Sequence, residues 1–211
     1  AEKAGIRLTD YKDALFRVGE LMFDDGSFSK VKGKTNELFS VLFHRRYAQP
    51  DLAFSETTAY PADKLSAKNM AAKLVISTIA DVRNTMYMSG LTAFPASRWD
   101  TLGPAMKKQA EIHRKLAGHV PRGPFKHCWG EHGRKVSDDD PYSLFLAMGI
   151  PFEVTDGRIP SDGFTFLADA DAKVLAKDKV AAPVVVRPGS GVKGEDIWVT
   201  AEELPALYEL K

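Results

Sequence analysis

The sequence predicts an α/β fold in which parallel strands are joined by helices. Apolar segments of strand length, such as Phe164–Leu167, alternate along the chain with amphipathic segments of helical period. Strands that alternate with helices pair in parallel, because the helix provides the crossover connection. The composition is that of a folded chain, since 44% of the 211 residues are hydrophobic and 27% are charged.

The first part of the chain is predicted to hold four helices and two strands. Capping residues and apolar periodicity predict helices over residues 9–22, 35–43, 66–79 and 100–117. Thr9 and Ser66 are the expected N-caps, while Gly26 and Gly118 follow the ends of the first and last of these helices. Strands are predicted over residues 51–55 and 82–88, the first of them after Pro50.

A linker-like stretch, His119 to Pro124, contains Pro and Gly and places a domain boundary between residues 1–120 and 121–211. Beyond it, strands are predicted over residues 125–129, 151–155, 164–167 and 184–187. A helix is predicted over residues 142–148, and another begins at Thr200.

The charge and cysteine content exclude several classes of protein. Residues 1–125 hold 19 basic and 13 acidic side chains, an excess too small and too scattered for a nucleic-acid interface. No apolar run is long enough to span a membrane. The single cysteine, Cys128, excludes an intramolecular disulfide, so the sequence fits a reducing compartment and predicts a cytoplasmic protein.

Several motifs resemble one enzyme family. The sequence SETTAYP after a strand, then LSAKNMAAKLVISTIADV, VRNTMYMSG and a long helix, resembles the last two strand-helix units of the (β/α)8 barrel of β-galactosidase-like glycoside hydrolases. The segments DDDPYSLFLAMGIPFEVTD, FTFLADADAKVL and VVVRPGSG resemble the flavodoxin-like, glutamine-amidotransferase-like domain that follows the barrel.

The resemblance implies a retaining glycoside hydrolase with Glu56 as nucleophile. Glu56 matches the glutamate at the end of the seventh barrel strand, and barrel enzymes place catalytic groups at that end of their strands. The acid/base glutamate of the family belongs to the fourth strand, which is absent here, so we expect the chain to be part of a longer enzyme. Retention needs two carboxyl groups, and the isolated chain is therefore expected to be inactive.

Five further residues are predicted to bind the sugar near Glu56. An exposed Trp stacks on a sugar ring, while Arg, Asn and Tyr bond to hydroxyls. Trp99 also fits a loop anchor, and the neighbouring Tyr87 fits the core. The five residues are Tyr60, Arg83, Asn84, Arg98 and Trp99.

The rival motif is His127-Cys128-Trp129-Gly130-Glu131-His132, which contains zinc-ligating residue types. Its spacing matches no established zinc site, and Cys128 lacks the small-residue turn of an amidotransferase nucleophile. We therefore predict no metal and no cofactor. The alternative function is a non-catalytic carbohydrate-binding or oligomer-assembly module, and a homo-oligomer fits either hypothesis.

Overall fold

The computed structural model describes residues 5–18, 21–58, 64–88, 93–135, 149–175, 183–186, 190 and 197–199. The chain divides into two compact units. The first unit is Thr9–Val120, and the second begins at Pro121 and includes residues 5–8. The architecture is mixed α/β, and all strand pairs in the described residues are parallel.

The first unit contains short strands and four helices among its described residues. In chain order these are β1 (Phe16–Arg17), α1 (Asp25–Ser29), α2 (Val31–Arg45), β2 (Ala53–Phe54), β3 (Thr57–Thr58), α3 (Ala67–Ile79), β4 (Tyr87–Met88) and α4 (Trp99–Leu116). Short 3-10 helices precede β2 and α4, at Pro50–Leu52 and Ala96–Arg98, and another spans Leu8–Tyr11.

β2 and β3 follow one another along the chain and together form the middle one of three parallel rows of strands, with β1 on one side and β4 on the other. β1 pairs with β2, with Arg17 opposite Phe54, and β3 pairs with β4, with Thr57 opposite Tyr87. The bridge between Phe54 and Asn84 joins the two pairs. The parallel pairing predicted between residues 51–55 and 82–88 is therefore present.

The predicted helix over residues 9–22 is wrong. Strand β1 occupies its middle, and the Val18 N–H donates to the Phe54 carbonyl at 2.9 Å. Two of the apolar positions that suggested a helix, Leu15 and Met22, are exposed, whereas Val18 is fully buried. Pairing with β2 outweighs the local helical pattern, and it supplies a strand that the sequence did not predict.

Helices α1, α3 and α4 build the core on one side of this sheet. Ser66 caps α3 as predicted, since its hydroxyl accepts a bond from the Asn69 N–H. Asp24 caps α1, at a position where the sequence predicted only a helix end. The fully buried members of this core are Phe28, Leu65, Met70 and Leu102, and Tyr87 packs against them.

At the amino end of the rows, Asp81 contacts two arginine side chains and one histidine. Its carboxylate lies 2.9 Å from Arg45, 3.3 Å from Arg83 and 3.3 Å from the His113 ring nitrogen. Asp81 adopts a left-handed backbone with φ of 56°, which Asp and Asn tolerate better than most residues. Burial alone would raise the pKa of Asp81, but hydrogen bonds from the Gly118 backbone, Arg83, Arg45 and His113 together lower it.

The second unit is a five-stranded parallel sheet with two described helices. In chain order its elements are β5 (Phe125–Cys128), α5 (Glu131–Lys135), β6 (Phe152–Thr155), β7 (Phe164–Leu167), α6 (Asp169–Leu175), β8 (Val184–Val186) and β9 (Ile197–Val199). The spatial order is β6-β5-β7-β8-β9. The strands predicted over residues 125–129, 151–155 and 164–167 are present, while β9 was not predicted.

Two glycines allow the backbone segments that precede strands of this sheet to approach one another closely. A Cβ on Gly123 would lie 1.8 Å from the Pro151 carbonyl oxygen, so no other residue fits. Gly163 has φ of 71°, and a Cβ there would lie 2.3 Å from the Pro124 carbonyl oxygen. The predicted helix over residues 142–148 and the helix beginning at Thr200 lie outside the described residues. No helix in the described ranges is long and apolar enough to cross a membrane.

Candidate functional site

Glu56 lies near the carboxyl end of the central row, on the sheet face opposite the helices. Its neighbours Ser55 and Thr57 are fully buried, and successive side chains along a strand point to opposite faces. Phe54 shares the Glu56 face, and Arg17 lies opposite Phe54 on β1. Glu56 therefore lies between β2 and β3, and the row continues past it to Thr58.

An ion pair with Arg17 fixes the Glu56 carboxylate. Arg17 Nε lies 2.8 Å from Glu56 Oε2, with 54% of the Arg17 side chain and 13% of the Glu56 side chain exposed. The pair joins neighbouring rows at the same sheet face, so it orients the carboxylate while leaving it in contact with solvent. The sequence did not point to Arg17, because residues 9–22 were interpreted as a helix.

A buried ion pair holds the segment that follows β1. Lys73 Nζ lies 3.0 Å from Glu37 Oε1, and both side chains are fully buried. Glu37 accepts the Leu21 N–H at 2.8 Å, and Lys73 donates to the Leu21 carbonyl at 2.7 Å. The sequence signal was a lysine on the same helical stripe as Met70 and Leu74, where a charge needs a buried partner.

Arg83 and Asn84 precede β4, and Asn84 lies opposite Phe54, in the same register as Arg17 on the other side of the central row. Arg83 pairs with Asp81 and with Asp51, the latter at 3.0 Å. The Asn84 side-chain amide donates to the carbonyls of Asp51 and Ala53. The side chains of these two predicted sugar-binding residues thus bond to groups that precede Phe54 in the central row or precede β4.

Trp99 and Arg98 lie at the start of α4, after the carboxyl end of β4. Trp99 is 47% exposed, and its ring contacts Tyr87 edge-on at 6.0 Å and Phe94 at 5.6 Å. Arg98 stacks over the Phe94 ring at 5.3 Å and donates to the Leu65 carbonyl. Trp99 thus presents an exposed aromatic surface beside Tyr87, which pairs with Thr57 and packs against the core. The fifth predicted residue, Tyr60, lies outside the described residues.

In the second unit, His127 and Cys128 of the rival motif are buried inside β5, whereas Glu131 and His132 are exposed in α5. Burial lowers the pKa of His127 to about 3, so its imidazole stays neutral at physiological pH. Burial likewise raises the pKa of the Cys128 thiol to about 11, which suppresses the nucleophilic thiolate. Within the described ranges, no three metal-ligating residue types cluster in a way that could hold an ion.

Asp171 closes the carboxyl end of β5. Its carboxylate accepts the N–H groups of Gly130, His132 and Gly133 at 2.7, 3.1 and 3.1 Å. In open parallel sheets, ligands bind in the crevice outside such strand ends, where the strand order reverses. Here an aspartate of the chain itself occupies the position that an anionic ligand would take. The sequence signal was Gly130 and Gly133, which make room for the Asp171 carboxylate.

Comparisons of this protein with family models, with curated proteins and with solved structures found no match.

Proposed function

We propose that the chain is part of a retaining glycoside hydrolase that acts on a β-galactoside-like sugar. Glu56 is the nucleophile, and the acid/base carboxyl group is supplied from outside this chain. The first unit then corresponds to the last strand-helix units of a (β/α)8 barrel, and the second to a flavodoxin-like domain. The observation that carries the proposal is the position of Glu56.

Three features of the Glu56 environment support this role. Glu56 lies between β2 and β3 in the central row, which has a neighbouring row on each side, and Arg17 orients its carboxylate. The side chain is largely shielded but still 13% exposed, so a small reactant can reach it. Trp99 offers an exposed ring beside Tyr87, in the row next to Glu56, where a sugar face can stack.

The strand order of the second unit supports the other half of the proposal. Numbered by position in the chain, its strands lie in the order 2-1-3-4-5, which is the flavodoxin-like order. The buried Cys128 thiol and the closed crevice at Asp171 favour a supporting role for this unit. The same two observations favour the second candidate function, an oligomer-assembly module without catalysis.

A mechanism-based label tests the nucleophile without the missing acid. With 2,4-dinitrophenyl 2-deoxy-2-fluoro-β-galactoside, a Glu56 oxygen attacks the anomeric carbon, the bond to oxygen breaks, and dinitrophenolate leaves with the electron pair. This leaving group needs no protonation, and the fluorine slows hydrolysis of the glycosyl ester. We expect intact-mass spectrometry to find one added sugar per chain, and peptide mapping to place it on Glu56.

Matched variants give the control. Glu56→Gln should take up no label, whereas Glu111→Gln, at an exposed glutamate of α4, should be labelled like the parent. A folded parent that takes up no label, or equal labelling of Glu56→Gln, would contradict the proposed role of Glu56. The assembly module would then be the better hypothesis.

A further inference from the structure

An apolar groove runs between α3 and α4 on the surface of the first unit. Its volume is about 340 Å³, and it is lined by residues of both helices. Four large apolar side chains along it are exposed by 38 to 55%: Val75, Ile79, Ile112 and Leu116. We call this surface the α3–α4 groove.

The exposed side chains of the groove differ from those that form the core. α3 packs Met70 into the interior and α4 packs Leu102 there, while the buried Leu74 lies under the groove. Val75 and Ile79 are four residues apart on α3, as are Ile112 and Leu116 on α4, so each pair forms a continuous stripe on its helix. Contiguous exposed apolar stripes on neighbouring helices are typical of a surface that binds another helix.

The charge around the groove indicates which partner fits. Exposed basic side chains outnumber acidic ones on α3 and α4 by five to two. The basic ones are Lys68, Lys107, Lys108, Arg114 and Lys115, against Asp100 and Glu111. Two copies of this chain meeting groove to groove would bring like charges together, whereas an acidic partner would find complementary ones.

The length of the groove also matches a short helix. Its lining runs from Ala71 to Ile79 on α3 and from Ala105 to Leu116 on α4. At a rise of about 1.5 Å per residue, these segments measure roughly 12 and 17 Å, or two to three helical turns.

We propose that the α3–α4 groove binds an amphipathic helix of a partner protein. The partner helix places apolar side chains at positions i, i+3 or i+4, and i+7 into the groove, and its flanking Asp and Glu side chains face the basic residues around it. This inference does not rest on the glycoside hydrolase proposal.

The test uses fluorescence anisotropy with the full chain and two labelled helical peptides. Both peptides carry the same leucine stripe, one with glutamate and the other with lysine at the remaining positions. We expect the glutamate peptide to bind, and to bind more weakly as salt is added, because exposed charges are then screened. The lysine peptide should bind at least about tenfold more weakly.

Variants locate the binding surface. Val75→Ser with Ile112→Ser should weaken binding of the glutamate peptide by about tenfold or more, and Lys108→Glu with Lys115→Glu should do the same. The matched controls are Met22→Ser and Lys12→Glu, at exposed positions outside the groove, and these should bind like the parent. Circular dichroism checks that each variant is folded.

Three results would overturn the proposal. One is the absence of measurable binding to the folded parent, and a second is equal binding of the two peptides or of the groove variants. The third is a concentration-dependent dimer in sedimentation that the Val75→Ser, Ile112→Ser variant abolishes, which would assign the groove to a second copy of the chain.

Discussion

The two units use the charged side chains at the carboxyl ends of their central strands in opposite ways. In the second unit, Asp171 accepts three backbone N–H groups at the end of β5 and fills the space beside Gly130. In the first unit, Glu56 pairs with an arginine that is 54% exposed. Hydrogen bonds within the protein close the Asp171 end of β5, whereas the Glu56 carboxylate remains accessible to solvent. Binding and catalysis are therefore better supported at the Glu56 end.

The same contrast exists within the first unit, between its two strand ends. The amino end holds Asp81, whose side chain is 2% exposed and contacts two arginines and one histidine. In the (β/α)8 barrel that we propose for the first unit, the amino end serves stability and the carboxyl end serves function. Substitutions at the two ends should therefore separate in their effects on the free energy of unfolding.

Asp81→Asn should have the largest effect. Asparagine keeps the size and tolerates the left-handed backbone, so the change isolates the loss of negative charge beside Arg45. We expect the free energy of unfolding to fall by about 3 kcal/mol, since removing one member of a buried ion pair leaves an uncompensated charge. Chemical denaturation measures it.

The control for this prediction is Asp51→Asn, which removes the other carboxylate partner of Arg83. Asp51 is 86% exposed, so its loss should cost less than about 1 kcal/mol. Equal losses for the two variants would show that the Asp81 cluster does not stabilise the amino end.

Asp171→Ala tests the closed end of β5. The change leaves three N–H groups without their acceptor, two of them on buried glycines, and should lower the free energy of unfolding by about 2 to 3 kcal/mol. It also opens a space for a small anion, so formate should restore part of the loss in thermal melts. The control is Asp162→Ala, which removes an 80% exposed carboxylate that pairs with Lys126. It should cost less than about 1 kcal/mol, and formate should not change its melting temperature. A variant as stable as the parent would remove Asp171 as the group that closes this end.

Burial of His127 makes the stability of the second unit depend on pH. Its pKa falls from 6.5 to about 3 on folding because the ring is buried. The unfolded chain binds a proton between these values and the folded chain does not, so stability is complete above pH 6.5 and is lost as the pH falls toward 3. The slope should be about 1.4 kcal/mol per pH unit. Denaturation at several pH values measures it, and His127→Leu should remove this contribution. An unchanged slope in that variant would contradict the assignment to His127.

Most of the elements that the sequence predicted correctly depend on local signals. Ser66 caps α3 through its own hydroxyl, and Phe164–Leu167 is a short apolar run with a glycine before it. The apolar residues stop at Phe54 and predicted a strand that ends before Glu56, but the structure continues the row as β3 beyond it, because Thr57 and Thr58 pair with β4.

What the sequence did not predict depends on partners far away in the chain. β1 forms a strand because it pairs with β2 through backbone hydrogen bonds, although the pattern of its own residues is typical of a helix. Arg17 became a candidate only when that pairing placed it beside Glu56. The residues next to Asp171 in the sequence do not indicate that its carboxylate accepts hydrogen bonds from the turn after β5. Single-sequence patterns report which face of an element is apolar, but not which distant group satisfies a charge.

Glu56→Gln should have the smallest effect on stability. Glutamine keeps the side-chain volume, and an ion pair whose arginine is half-exposed contributes less than about 1 kcal/mol. Arg17→Gln should cost a similarly small amount, and the double variant should cost no more than either single change, because both remove the same pair. Chemical denaturation of the three variants beside the parent measures these losses. If Glu56 instead braces the strand end, its substitution should cost about 1 to 3 kcal/mol, because its buried partners would lose their acceptor. A loss of that size would make the residue structural and remove the contrast between the two carboxyl ends.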